Sequence, residues 1–286
     1  MGAELEQPPR APVSRDRRPP RRRLAADAAR PRRATGSHPE AGRRSPLLPD
    51  GLAGLLRQAA IWLGFGLGYE VARAFADRGA GEALRNARRV IALESRLGGL
   101  FELDVQRLVL DAGSPLVDAL NWTYWGSQFF VLTAGLVWVY LRRNHGYLRL
   151  RNTLFAVNLA GLVGYAAVPT APPRLVPGHG FADTLSESAV SFHSPLVELL
   201  ANPYAAMPSL HAADALVLAA TLAAVVRSPA GRAAALLWPV WVWFSLIATG
   251  NHFWLDVLAG AALGALGVAG ASAAARRHAA APGPRR

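Results

Sequence analysis

The 286-residue chain has no cysteine and no lysine; all 31 of its Lys+Arg residues are arginine. Without thiols it forms neither disulfides nor thiolate metal sites, and no redox compartment can be read from it. Charge is scarce at 17% of residues, and acidic charge scarcer still: 19 Asp+Glu leave a net +12 beside a 52% apolar composition. That combination is foreign to a soluble globular domain and fits a membrane protein with basic ends. Positions 1–45 hold no apolar run, so the arginines there introduce no secretory signal. No aromatic residue is interleaved with them either, which argues against a nucleic-acid partner.

Residues 1–48 are rich in Pro, Arg and Ala, with the run Arg17-Arg18-Pro19-Pro20-Arg21-Arg22-Arg23. Such a segment cannot bury enough apolar surface to order itself. It is expected to be a disordered basic cytoplasmic tail, drawn to anionic headgroups by about 1 kcal/mol per basic residue near the surface. Apolar runs follow at 52–75, 116–141, 150–168, 209–226, 233–250 and 253–275. Each approaches the roughly 20 residues a membrane span needs. The expected fold is all-α: a polytopic membrane helical bundle over 49–276, with about six transmembrane helices, then a short basic tail at 277–286.

Between the first two runs, residues 82–110 differ. Val90, Leu93, Leu97, Leu100, Phe101 and Leu108 recur every three or four residues among Arg88, Arg89, Glu94, Arg96, Glu102 and Asp104. That spacing predicts an amphipathic helix, broken at Gly98-Gly99, lying at the interface; a soluble-type helix packed over the bundle is the alternative. Arginine placement sets the orientation. The tail, Arg142/Arg143/Arg149/Arg151, Arg227/Arg232 and Arg276/Arg277 all fall on one side of a six-span chain, which should be the cytoplasm. Both termini would then be cytoplasmic. The loop 169–208, whose basic residues are Arg174 and histidines 179 and 193, lies outside.

Two histidines open apolar runs on that outer side. In Pro208-Ser209-Leu210-His211, Ser209 suits a helix cap. The free N–H groups and positive dipole end of such a helix favour an anion such as phosphate. In Thr249-Gly250-Asn251-His252-Phe253-Trp254-Leu255-Asp256, the aspartate follows the histidine by four residues, one helical turn on the same face. A carboxylate there can fix the imidazole tautomer and support charge on the ring. Gly250 would let a backbone N–H approach a ligand closely. Arg174, in Pro169-Thr170-Ala171-Pro172-Pro173-Arg174, offers a planar guanidinium for bidentate phosphate contact. Each feature alone also has a structural explanation: a cap, a hydrogen bond, a headgroup arginine. A polar dyad beside lipid is a functional hypothesis by default.

The ordered set of these three motifs resembles the type 2 phosphatidic acid phosphatase (PAP2) superfamily over about 50–275. It looks closest to the branch of inositol phosphorylceramide synthase-like phosphotransferases, which Ala92-Leu93-Glu94-Ser95-Arg96-Leu97-Gly98 and the Asn-Pro-Tyr-Ala-Ala-Met stretch from Asn202 also resemble. The resemblance implies a phosphohistidine mechanism at the extracytoplasmic face. His252 would be the nucleophile, Asp256 would orient it and His211 would protonate the leaving oxygen. Pro208, Ser209, Arg174, Gly250 and Asn251 would surround the phosphoryl group. No metal or other cofactor is implied. The superfamily pattern has a lysine where Ala167 stands, an arginine where Leu246 stands and a glycine where Leu210 stands. Asp214, one turn after His211, would either orient that histidine or hydrogen-bond within the bundle.

The expected activity is removal or transfer of a phosphoryl-containing group from a lipid phosphate or phospholipid. Water as acceptor makes a phosphatase; inositol or another polyol makes a transferase. Two alternatives use the same side chains. A metal-dependent membrane enzyme would take His211, Asp214, His252 and Asp256 as ligands, and a transporter would line a pathway with them.

Overall fold

The computed structural model describes residues 48–76, 79–186 and 204–280. Runs dominated by Ala and Leu, the strongest helix formers, set its elements: α1 Gly51–Ala76, α2 Ala80–Leu97, α3 Phe101–Asp111, α4 Ser114–Gly126, α5 Leu132–Arg142, α6 Asn144–Ala167, α7 Leu210–Val225, α8 Pro229–Ala248 and α9 Trp254–Ala280. A five-residue π turn, Ser127–Val131, joins α4 to α5. A short 3-10 turn, Pro173–Leu175, follows α6. The fold is all-helical among the described residues; a lone parallel bridge pairs Thr170 with Ala205.

Each apolar run expected to span the membrane lies on helix: 52–75 on α1, 116–141 across α4 and α5, and the remaining four on α6 to α9. Of these, α8 and α9 are long and apolar enough to cross a membrane. The apolar α7 has 16 residues. Large apolar side chains stand exposed around the bundle, among them Leu67, Phe130, Val163, Leu237 and Leu266, as lipid-facing positions do.

The apolar α7 is buried along most of its length, including Leu210, Ala213, Val217 and Leu218. It packs on Leu150, Leu154 and Val157 of α6 and Val139 of α5. Its other side meets Val242 and Leu246 of α8 and Val257 of α9. The element that carries His211 is therefore the axis of the bundle.

The 82–110 segment is broken as expected. Gly98 and Gly99, both at positive φ, separate α2 from α3. Its leucines face outward, as an interfacial helix requires, but two of its carboxylates do not face water. Leu93, Leu97, Phe101 and Leu108 are exposed, while Glu94 and Glu102 are fully buried. Ala83, Ala87, Val90 and Ile91 pack instead on Ala171, Val176 and Phe253, beside the histidine motifs. The polar-out rule assumes water outside; beside lipid the leucines belong there, and the carboxylates turn toward donors inside the protein.

Residues 1–47 and 281–286 lie outside the described residues, and with them the disordered-tail expectation. Also outside are 187–203, including His193 and Asn202. The α9 helix continues to Ala280.

Candidate active site

Close packing of α9 on α7 assembles the two histidine motifs. A Cβ on Gly260 would sit 2.1 Å from the Ser209 carbonyl oxygen, and one on Gly264 would sit 2.8 Å from that of Ala213. The small-xxx-small pair thus permits a backbone approach that any side chain would block. Across this contact the Ser209 N–H donates to the Asp256 carbonyl at 3.0 Å. Ser209 is the N-cap of α7 and its hydroxyl oxygen accepts the Ala212 N–H at 3.4 Å, as its position before the apolar run predicts. Pro208 sits against α6, where a Cβ on Gly164 would fall 2.5 Å from the Pro208 Cδ.

His211 is the second residue of α7. Its ring lies 6.1 Å, centroid to centroid, from that of His252. Tyr124 of α4 stacks on His211 at 4.5 Å. This aromatic support was not anticipated; no spacing rule links position 124 to 211.

His252 is buried and lies in the turn before α9 rather than on the helix. Its Nδ1 faces Asp256 Oδ2 at 3.5 Å, longer than a hydrogen bond. Such contacts often tighten only when substrate is present. Oδ2 of Asp256 also accepts the Phe253 N–H at 3.0 Å, a carboxylate reaching back to the N-cap amide. With Nδ1 turned to the carboxylate, Nε2 is the ring nitrogen left for chemistry.

Arg174 is built into the same end of the bundle. Its backbone N–H donates to the Gly250 carbonyl at 3.0 Å and its Nε to Asn251 Oδ1 at 3.0 Å. Asn251 is fixed in turn by its own donation to Thr249 Oγ1 at 2.7 Å. Gly250 serves this anchor rather than a ligand: its N–H donates to the Ile247 carbonyl at 3.1 Å. Its φ is +67°, and a Cβ would meet Gln106 Nε2 at 2.7 Å, so glycine is required on both counts. Leu246, where the resemblance expected arginine, is buried; its carbonyl accepts the N–H groups of Asn251 and His252, both at 3.1 Å.

The guanidinium of Arg174 has a partner the sequence did not suggest. Nη1 lies 3.1 Å from both carboxylate oxygens of Asp183. The segment carrying Asp183 is pinned on two sides. Gln106 of α3 makes a paired contact with the backbone of Ala182, at 2.9 and 3.1 Å. Asn121 of α4 donates to the Thr184 carbonyl at 2.9 Å, while the Thr184 hydroxyl donates to the Thr249 carbonyl at 3.1 Å. His179 is half-buried and bonds locally to the Pro177 carbonyl.

Asp214 lines one small pocket with His211, and its carboxylate is bonded within the bundle. Gln128, presented by the π turn, donates to its Oδ2 at 2.8 Å, and Asn158 of α6 donates to its Oδ1 at 3.0 Å. Of the two readings open from sequence, the bundle hydrogen bond is the one these contacts match, and substrate contact by Asp214 has no support in them.

The site thus joins two imidazoles, a carboxylate behind one of them and an arginine, from α7, the α8–α9 turn and the segment after α6. A family profile described as the PAP2 superfamily matches residues 88–270. The phosphoinositol dihydroceramide synthase of Bacteroides thetaiotaomicron is 29% identical over 148 residues, 46% of this chain and 48% of that protein. The chain thus spans about half the length of this curated relative. The crystal structure of Aquifex aeolicus LpxE aligns with a TM-score of 0.45 at 19% identity, covering 59% of this chain and 93% of the other. With the profile spanning more than half its length, the chain belongs to the PAP2 superfamily.

Proposed function

We propose that the protein is a multi-pass membrane enzyme that removes or transfers a phosphoryl-containing group from a lipid phosphate or phospholipid at the extracytoplasmic face, through a phosphohistidine on His252. The observation that carries this reading is the pairing of the His211 and His252 rings at 6.1 Å, with Asp256 behind the second. In the first step Nε2 of His252 attacks phosphorus, the P–O bond to the leaving group breaks, and His211 gives that oxygen its proton. Asp256 holds the Nδ1 proton and supports positive charge on the ring. Arg174, freed from Asp183, and the start of α7 at Ser209 stabilise the phosphoryl oxygens. In the second step His211, now basic, takes the proton of the acceptor hydroxyl as its oxygen attacks the phosphorus, the P–N bond breaks and His252 leaves as the neutral imidazole.

Transfer to or from an inositol-type polyol is favoured over hydrolysis by the name of the relative, a phosphoinositol dihydroceramide synthase. Arginine placement supports the orientation. Arg142, Arg143, His145, Arg227 and Arg232 line one cavity of about 540 Å³, and Arg149 donates to the Ala271 carbonyl in the last turns of α9. The basic loops and the end of α9 thus gather at one end, away from the histidines, as a cytoplasmic face requires.

The test is phosphate release by purified protein from a panel of lipid phosphates in EDTA, with and without inositol. Chelator-resistant release lost in His252→Ala supports the proposal. Conversion of release into a polyol adduct makes it a transferase. Full activity in His252→Ala sinks the reading, and loss of activity in EDTA returns the metal alternative.

A further inference from the structure

Three consecutive amides at the start of α9 each meet a carboxylate. The Phe253 N–H goes to Asp256 at 3.0 Å, Trp254 to Glu102 Oε1 at 3.1 Å and Leu255 to Glu94 Oε1 at 3.0 Å. Glu94 comes from α2 and Glu102 from α3, the two arms of the elbow at Gly98-Gly99. Both side chains are fully buried, and the second oxygen of each, Oε2, is buried without a partner. The two carboxyls lie within hydrogen-bonding reach of one another. Among the described residues no arginine or histidine pairs with either. The charged groups facing Glu94 are Glu102 on α3 and Asp256 on α9, and Asp256 in turn faces His252.

Two buried carboxylates side by side with orphaned oxygens are untenable. One proton placed between the two Oε2 atoms satisfies both, and leaves both Oε1 atoms on the helix. We infer that Glu94 and Glu102 form a one-proton carboxyl pair that clamps the first turn of α9 and so positions the adjoining His252–Asp256 dyad. Burial, then the Glu102 carboxyl, push Glu94 up to about 9, consistent with a retained proton at neutral pH. Both glutamates are positioning residues, since neither is hydrogen-bonded to either histidine. The inference rests on the proposed role of His252 for its functional half; the shared proton rests on two buried carboxyls held on consecutive amides, each with an orphaned oxygen.

Gln at one position can donate its amide hydrogen to the remaining carboxylate and still accept the helix N–H, whereas Ala does neither. The experiment uses the full-length protein as wild type, Glu94→Ala, Glu94→Gln and Glu94→Gln/Glu102→Gln. In infrared difference spectra at neutral pH, wild type minus the double variant should show the carbonyl stretch of a protonated buried carboxyl. Its absence overturns the shared proton. In turnover, Glu94→Ala should lose kcat by about 10²-fold, the cost of an ångström-scale misplacement, with KM little changed. Glu94→Gln should recover most of that loss and move the alkaline fall in kcat expected of wild type near pH 9. Equal kcat in Glu94→Ala, or an alkaline limb unmoved in Glu94→Gln, overturns the positioning role. Isotope-labelled histidine NMR gives an activity-independent reading. The His252 ring signals should shift in Glu94→Ala and return in Glu94→Gln; unmoved signals also overturn that role. If wild type releases no phosphate, the proposed function fails while the infrared and NMR arms still decide the pair.

Discussion

Arg174 meets a carboxylate before it meets any phosphate. Asp183 holds its Nη1 with both oxygens, and Asn251 holds its Nε. These contacts set the guanidinium in place in advance and put an anion of the protein's own beside the group that would meet a phosphoryl oxygen. Asp183 was invisible in the sequence because the contact depends on a segment pinned by Gln106, Asn121 and Thr184, residues with no periodic relation to it. The motif residues themselves were legible, since each sits next to its functional neighbours along the chain: Ser209 beside His211, His252 beside Asp256. The partners of Gly250, Ile247 and Arg174, were not legible for the same reason, since one comes from a distant segment. Glu94 gives this scale its prediction. Its carboxyl is raised from 4.5 to about 9 by burial and by Glu102, so the folded state keeps a proton that the unfolded state releases. Stability is then fully present below about pH 4.5 and declines as pH rises toward 9. Thermal unfolding in detergent across that range should show the decline in wild type and a flatter profile in Glu94→Gln. A wild-type profile that rises with pH contradicts it.

At the scale of elements, helix existence was readable and the burial of two carboxylates was not. The six apolar runs all became helix, and Gly98-Gly99 broke the amphipathic segment where expected. The burial of Glu94 and Glu102 on α2 and α3 was not legible, because hydrophobic periodicity reports which side avoids water and says nothing of carboxylates that find donors inside the protein. The contact between α7 and α9 is the one on which catalysis rests. Gly260→Ala would drive a methyl into the Ser209 carbonyl, now 2.1 Å from where that Cβ falls, while a Cβ on Gly270 of the same helix meets nothing within 4 Å. Overpacking of this kind costs about 1–3 kcal/mol or more. Gly260→Ala should lower both Tm and turnover by displacing the first turn of α7 and His211 with it. Gly270→Ala should lower neither. Equal behaviour of the two variants would separate the helix contact from the site.

At the scale of the whole molecule, charge sorts the bundle. Basic loops collect at one end around a cavity of about 540 Å³; His211, His252, Arg174 and the carboxylate trio collect at the other. The positive-inside pattern made this division legible from sequence, because it depends only on loop composition. The absence of cysteine makes it simple to test, since any introduced thiol is the sole one. His179→Cys should react with a membrane-impermeant maleimide in intact cells, and Arg227→Cys only after permeabilisation. The reverse pattern would place the site in the cytoplasm. The central claim is covalent: a phosphoryl group rests on His252 between donor and acceptor. The most direct measurement is rapid quench of wild type and His252→Ala with a lipid substrate radiolabelled in its phosphate. An acid-labile, base-stable label on wild-type protein, mapped to the peptide containing His252 and absent from the variant, is the predicted result. Turnover of the same substrate with no protein-bound label, or with label retained in His252→Ala, would contradict it.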